Sequence, residues 1–157
     1  MKRIIALALV AILSVAVFAG CGGSDGDSKK VDLASVMETI NTNNKLSLDK
    51  IDSADKLNRY YSIEEKDVKQ FAAEKDSDPD APVEVVLVEA VDSDAATRVE
   101  TALNTRYDSV LRTYTSYTPE KVSMVKGCKV TKDGNFVSLI IADNASDMLK
   151  TFQDAVK

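Results

Sequence analysis

The segment 83–91 constrains the fold of this chain more than any other, because it is apolar at both odd and even positions. A strand inside a sheet has this pattern, since alternate side chains point to opposite faces. Its two charged residues, Glu84 and Glu89, are expected on opposite faces and about 16 Å apart along the strand, at about 3.3 Å per residue. The segment therefore predicts a core strand whose two carboxylates do not act as a catalytic pair.

Helical periodicity is found on both sides of this strand. Apolar residues recur at helical spacing over 31–40, and the asparagine-rich stretch 41–44 is expected to end that helix. The stretch 46–57 has a mixed pattern and is predicted as a loop with a short helix. A long helix is predicted to start at the acidic cap 92–94 and to end before Pro119, because proline disfavours helical geometry in the preceding residue.

One more helix is predicted just upstream of the core strand. Ser62 can accept a hydrogen bond from a backbone N–H while Glu65 reaches back, which is the pattern of a capping box. The apolar residues that follow are Val68, Phe71 and Ala72, at helical spacing. We expect them to form the buried face of that helix.

The last third of the chain predicts a hairpin and a closing helix. Residues 122–130 and 136–142 are strand-like, and the Asp-Gly pair within 131–135 is typical of a tight turn. Asn144 or Ser146 can cap the final helix. The order is helix, helix, strand, helix, strand, strand, helix. It predicts an α+β fold with a small mixed three-stranded sheet and helices packed on one face.

The N-terminus has the pattern of a bacterial lipoprotein signal peptide. Two basic residues are followed by an apolar run over 4–18, which only Ser14 interrupts, and small residues up to Gly20 precede Cys21. In such signals the peptidase takes small residues in extended form, and diacylglycerol is attached through the cysteine sulfur. We therefore predict cleavage between Gly20 and Cys21 and lipidation of Cys21.

This prediction divides the chain into three parts. Residues 1–20 are the signal peptide, 21–30 are the lipidated cysteine with a flexible tether, and 31–157 form one globular domain. The domain is expected on the extracytoplasmic face of the cell membrane, held there by the lipid on Cys21. The alternative is a transmembrane anchor, because the apolar run is near the lower length limit of a membrane span.

Net charge narrows the range of partners. Without Lys2 and Arg3 the chain has 18 basic and 25 acidic side chains, which gives a net charge near −7. An acidic protein repels nucleic acid and anionic lipid headgroups. We therefore expect no nucleic acid partner.

Few residues suit known catalytic motifs. The chain has no histidine and no glycine-rich phosphate loop, so histidine-based acyl transfer, zinc hydrolysis and phosphoryl transfer lack their parts. Cys128 is expected to be a small buried hydrophobic residue. The alternative is a reactive thiol activated by Lys126 and Lys129. We predict no catalytic residue and no cofactor.

The acidic stretch 76–80 has the alternating carboxylates of a calcium loop. Ala81 stands where such a loop needs glycine, and Leu87 where it needs the closing glutamate. We therefore expect a solvated loop and no metal site.

Three tyrosines near the ends of predicted elements are candidates for a surface binding site, namely Tyr60, Tyr61 and Tyr117. Aromatic faces stack against sugars, although the absence of tryptophan weakens a carbohydrate interpretation. Tyr107 and Tyr114 belong to the apolar stripe of the long helix and are expected in the core.

Four short motifs point to a known family. They are Tyr60-Tyr61-Ser62-Ile63 and the segments 83–85, 117–120 and 134–140. Together they resemble an uncharacterised domain family, the domain of unknown function 4358, found in lipoproteins of Gram-positive anaerobic bacteria. The resemblance supports the expected location and fold class, and it implies no catalytic residues.

Two classes of function are consistent with these observations. The first is a non-catalytic binding or adaptor module that holds an envelope protein or a small ligand at the membrane surface. The second is an envelope enzyme that uses only carboxylates, such as Glu84 and Glu89, as acid and base. A glycan-binding lipoprotein is a further alternative.

Overall fold

Five strands form one sheet in the computed structural model, which describes residues 30–78 and 80–157. The predicted signal peptide, Cys21 and most of the predicted tether lie outside the described residues. The strands are β1 (Asp49–Lys50), β2 (Val68–Lys75), β3 (Glu84–Ala90), β4 (Lys129–Asp133) and β5 (Phe136–Ile141). Their order across the sheet is β1-β2-β3-β5-β4, and every neighbouring pair is antiparallel.

The described residues also form five α-helices. These are α1 (Leu33–Asn44), α2 (Ala54–Tyr61), α3 (Ser93–Tyr117), α4 (Val122–Lys126) and α5 (Ala145–Val156). Short 3₁₀ turns lie at Glu65–Asp67 and Pro119–Lys121. Within the described ranges, no helix combines the length and the apolar character needed to cross a bilayer.

The helices cover both faces of the sheet. α1 and α5 pack on the face that carries Val85 and Leu87, whereas α2, α3 and α4 pack on the face that carries Val86 and Val88. β3 is central and all seven of its residues are buried, which explains why it is apolar at both parities. Each face therefore has its own apolar core.

The α+β class is confirmed, but the predicted sheet is wrong. It has five antiparallel strands instead of a mixed three, and helices lie on both faces instead of one. A mixed sheet was expected because α3 leads from one strand to the next, which suggested a parallel pair. Instead β5 lies between β3 and β4, so β3 pairs antiparallel with β5.

The helix predicted after Ser62 is also wrong. Ser62 ends α2, with φ of 58° and its N–H donated to the Asn58 carbonyl, and Val68 begins strand β2. A bulge between Val68 and Gln70 adds one residue to β2. Val68 and Phe71 consequently pack on the same face although they are three residues apart. A separation of three residues is also typical of one face of a helix, which explains the wrong prediction.

The predicted strand 122–130 is helical in its first half. Val122–Lys126 forms α4, and β4 begins only at Lys129. β4 extends to Asp133, which pairs with Phe136, so the hairpin turn shortens to Gly134 and Asn135. Gly134 has φ of +56°, which a residue without Cβ adopts readily. The hairpin itself is confirmed.

Three helix boundaries test the capping predictions. The Asp92 carboxylate accepts a hydrogen bond from Ala95 N at 2.7 Å, and α3 ends at Tyr117, as predicted. α1 does not stop at residue 41 but continues to Asn44, where the left-handed Lys45 ends it. Asn144 is the residue before α5, although its side chain makes no capping hydrogen bond.

Candidate functional site

Four carboxylates are buried against the sheet, and they differ in how their charge is compensated. They are Asp67, Glu74, Glu84 and Glu89. A buried carboxylate is costly unless a cation or several donors face it. We therefore compare the groups that contact each carboxylate. A carboxylate with a cation and several donors has a structural role, and one without them is available to a ligand.

Both carboxylate oxygens of Glu84 accept hydrogen bonds from side chains. Its side chain is 2% exposed and faces α3, where Arg106 donates through Nε to both carboxylate oxygens at 3.1 and 3.2 Å and through Nη2 at 2.9 Å. The Tyr61 hydroxyl donates to Oε2 at 3.4 Å. Burial and the adjacent Glu84 charge raise the pKa of Tyr61 well above its usual value. This group is a structural ion pair.

Glu89 is engaged on the other face of β3. Lys69 Nζ lies 2.6 Å from Oε1, and Gln70 Nε2 lies 2.5 Å from Oε2. The Gln70 amide also binds the start of α1, with Nε2 2.8 Å from the Val31 carbonyl and Oε1 3.1 Å from Leu33 N. The prediction that Glu84 and Glu89 lie on opposite faces is confirmed.

Asp67 is likewise paired. Arg98 donates through Nε to both oxygens at 3.1 Å and through Nη2 at 2.7 Å. These hydrogen bonds lower the pKa of Asp67 below its usual value. Like Glu84, Asp67 joins the sheet end to α3.

Glu74 is the exception. It is 4% exposed, yet within the described residues no lysine or arginine nitrogen lies within 4.0 Å of its carboxylate. Its cross-strand partner, Lys50 of β1, is exposed and makes no such contact. Asn41 Nδ2 donates to Oε2 at 2.7 Å, and no donor among the described residues reaches Oε1. The Asn41 Oδ1 atom is buried, and no residue in the described part of the chain donates to it.

Glu74 and Asn41 line a cleft between α1 and the β1–β2 edge of the sheet, with a volume of about 480 Å³. We call it the α1–β2 cleft. Its apolar lining residues are Ala34, Met37, Ile51, Phe71, Ala72 and Ala73. Its polar surface comes from Ser35, Glu38, Asn41, Thr42, Lys50, Asp52 and Glu74. A volume of this size on an apolar floor with a few polar groups is typical of small-molecule sites.

The predicted surface tyrosines do not form one site. Tyr60 and Tyr117 are exposed, at 42% and 83%, but neither lines the α1–β2 cleft. The expectation that Tyr61 lies on the surface is wrong, because it is 2% exposed beside Glu84. Tyr60 faces Lys75, whose Nζ is 5.7 Å from the ring centroid.

Cys128 and the helix tyrosines lie in the core as expected. Cys128 is buried and its thiol donates to the Met124 carbonyl at 3.2 Å. Burial raises the pKa of this thiol, which disfavours the reactive alternative. Tyr114 is buried, and the Tyr107 hydroxyl donates to the Val125 carbonyl at 3.2 Å.

The acidic loop 76–80 uses two of its carboxylates locally. Asp76 accepts from the N–H of Asp78, and Asp78 accepts from the N–H of Asp80, both at 2.9 Å. Among the residues described, no three carboxylate or cysteine side chains are grouped as a metal site would need.

A comparison with protein families assigns the domain. The family described as Domain of unknown function (DUF4358) matches residues 29–142. The chain belongs to this family. The predicted resemblance is thereby confirmed, and the matched part of this DUF4358 domain contains every residue of the α1–β2 cleft and ends before α5. No curated protein and no solved structure matches the chain significantly.

Sequence reasoning missed Glu74 and Asn41, the two cleft residues of this DUF4358 domain that contact each other. Glu74 lies in the segment predicted as a helix, and Asn41 lies in the stretch predicted to end one. Their contact joins residues 33 positions apart. The only local signal is a glutamate directly after the apolar pair Ala72 and Ala73, at a position that the strand pattern buries.

Proposed function

We propose that this chain is a membrane-anchored, extracytoplasmic lipoprotein whose DUF4358 domain binds a small ligand in the α1–β2 cleft without catalysing a reaction. The single observation that carries the binding role is Glu74. It is a buried carboxylate that no cation among the described residues contacts, at the wall of a cleft large enough for a small molecule. The lipoprotein role rests on the signal pattern that ends in Gly20 and Cys21.

Catalysis by carboxylates has less support. Glu84 and Glu89 lie on opposite faces of β3, and each is held by a basic side chain at 2.9 Å or less. An acid and base pair needs two carboxylates that reach the same substrate. Glycan binding has less support too, since Tyr60 and Tyr117 do not line the cleft.

The anchoring part of the proposal is tested by intact mass. We expect membrane-extracted protein to begin at Cys21 and to carry acyl mass, and the Cys21→Ala variant to remain unprocessed. A wild-type chain that retains residues 1–20 and carries no acyl mass would support a transmembrane anchor instead.

The binding part is tested by thermal unfolding of the full chain in detergent against a library of small molecules. A ligand that binds only the native state raises the unfolding temperature. The matched control is Ala34→Phe, at an exposed position of α1 that lines the cleft. We expect some compounds to raise the unfolding temperature of wild type and to leave that of Ala34→Phe unchanged. Stabilisation of both would place binding elsewhere. With no hits at all, a partner found by crosslinking in intact cells would replace the small ligand.

A further inference from the structure

The geometry points to a small organic cation, an amine or guanidinium compound with an apolar body, as the ligand of the α1–β2 cleft, with Glu74 as its charge partner. This inference rests on the proposed binding function and specifies the chemistry of its ligand.

The first argument is charge. Glu38, Asp52 and Glu74 line the cleft, against the single amine of Lys50. Asp52 is already 2.8 Å from Lys56 Nζ, and Glu38 is exposed to solvent. Glu74 is the buried one, so a cation that reaches it removes the cost of an uncompensated charge.

The second argument is hydrogen bonding. Glu74 Oε2 accepts from Asn41, whereas Oε1 has no donor among the described residues. Next to it, Asn41 Oδ1 is a buried acceptor that also lacks a donor. Only Asn41 Oδ1 is fully buried, and Glu74 Oε1 keeps some contact with solvent. Both atoms are acceptors, and an ammonium or guanidinium group supplies only donors.

The third argument is shape. Met37 and Ala72 provide apolar surface on the face of the sheet that carries Glu74, and the cleft is also lined by Ile51 and Phe71 of the opposite core. A compound that joins a cationic head to a short apolar body matches both parts of the cleft, whereas an inorganic cation leaves the apolar surface uncovered.

The test uses three probes with similar bodies and different head groups, namely phenethylamine, 2-phenylethanol and 3-phenylpropionate. Binding to the full chain in detergent is measured by calorimetric titration. We expect the amine to bind at least tenfold more tightly than the alcohol, and the carboxylate to bind more weakly still. Equal binding of all three would overturn the inference.

Glu74→Gln and Glu38→Gln are the matched variants. Both remove one carboxylate from the cleft, but only Glu74 is buried. We expect Glu74→Gln to weaken amine binding at least tenfold and Glu38→Gln to weaken it less than threefold. Unchanged amine binding by Glu74→Gln would overturn the assignment of Glu74.

Unfolding without ligand separates a binding role from a structural one. The Gln amide carries no charge and can donate to Asn41 Oδ1, so we expect Glu74→Gln to unfold about 2–4 °C above wild type. A variant that unfolds several degrees below wild type would show that the carboxylate stabilises the fold, and would overturn the inference.

Failure of this inference and failure of the proposed function give different results. Library compounds without a positive charge that stabilise wild type and not Ala34→Phe would overturn the cationic ligand and retain the binding function. A library without any hit, together with no binding of the three probes, would overturn both.

Discussion

Glu74 and Glu84 offer a direct comparison between the two faces of the sheet. They lie on adjacent strands, where Glu84 pairs with Lys75 and Glu74 pairs with Val85, one register position apart. Both are nearly inaccessible to solvent, yet Arg106 and Tyr61 donate to Glu84, whereas Asn41 is the one described residue whose side chain donates to Glu74. Similar burial on the same end of a sheet thus gives one carboxylate a structural role and leaves the other open to a ligand.

The largest expected change in stability comes from removing the cation that pairs with Glu84. Arg106→Met leaves Glu84 buried without a counter-charge, and we expect a loss of about 3–5 kcal/mol in the free energy of unfolding. Urea denaturation measures it. The double variant Arg106→Met with Glu84→Gln should recover most of the loss. A cost below about 1 kcal/mol for the single variant would remove the distinction between the two faces.

Asp67 extends the comparison to pH. Its pKa is lowered in the folded state, so the stabilisation by Arg98 is present above the ordinary value of about 3.9 and is lost as pH falls through the lowered folded value. We expect Asp67→Asn to lose about 1 kcal/mol at pH 7 and to approach wild type at a pH below the lowered folded pKa. Urea denaturation at both pH values checks this.

The control for Asp67 is Asp154→Asn, which removes an exposed carboxylate that pairs with Lys150. We expect no measurable change in its stability at pH 7. If the two variants behaved alike, burial would not be what makes the Asp67 pair matter.

A smaller change in stability is expected from Tyr61, the tyrosine that donates to Glu84. Tyr61→Phe removes a hydroxyl that donates to Glu84 at a long distance of 3.4 Å and keeps the ring in the core. We expect a loss of about 0.5–1 kcal/mol, measured by thermal unfolding. Tyr60→Phe, at an exposed neighbouring position, should leave stability unchanged. A larger loss for Tyr60 would reverse the roles given to the two tyrosines.

The smallest effect is expected beside Glu74. Lys50 stands directly across from it in the strand pair but does not contact the carboxylate. We expect Lys50→Met to change the free energy of unfolding by less than about 0.5 kcal/mol. A loss above about 1.5 kcal/mol in urea denaturation would show that Lys50 pairs with Glu74 in solution, and the contrast between Glu74 and Glu84 would then disappear.

The sequence predicts those elements whose signals are local. β3, the Asp92 cap, α3 and β5 each depend on neighbouring residues, and each was found close to its predicted place, whereas β4 begins seven residues later than the predicted strand. The position of helices on both faces was also implied, because a strand that is apolar at both parities needs cover on both sides. This pattern is not compatible with helices on only one face of the sheet.

Other features depend on contacts that the sequence does not display. The bulge in β2 destroys the alternation of a strand, and the two residues of β1 are exposed and carry no apolar pattern. The candidate site is harder still, since Asn41 meets Glu74 and Arg106 meets Glu84 only after the sheet has formed. Both polar clusters are products of tertiary pairing.

The double hydrogen bond of Gln70 to the start of α1 has a mechanical consequence. Any tension on the chain ahead of Lys30 is transmitted first to the Val31 carbonyl and Leu33 N–H, which the Gln70 amide holds against Glu89. Because Gln70 is in β2 and also donates to Glu89 of β3, we expect these two strands to share that load with the helix. We therefore expect such a pull to displace the far end of α1, where Asn41 contacts Glu74, less than the start of the helix.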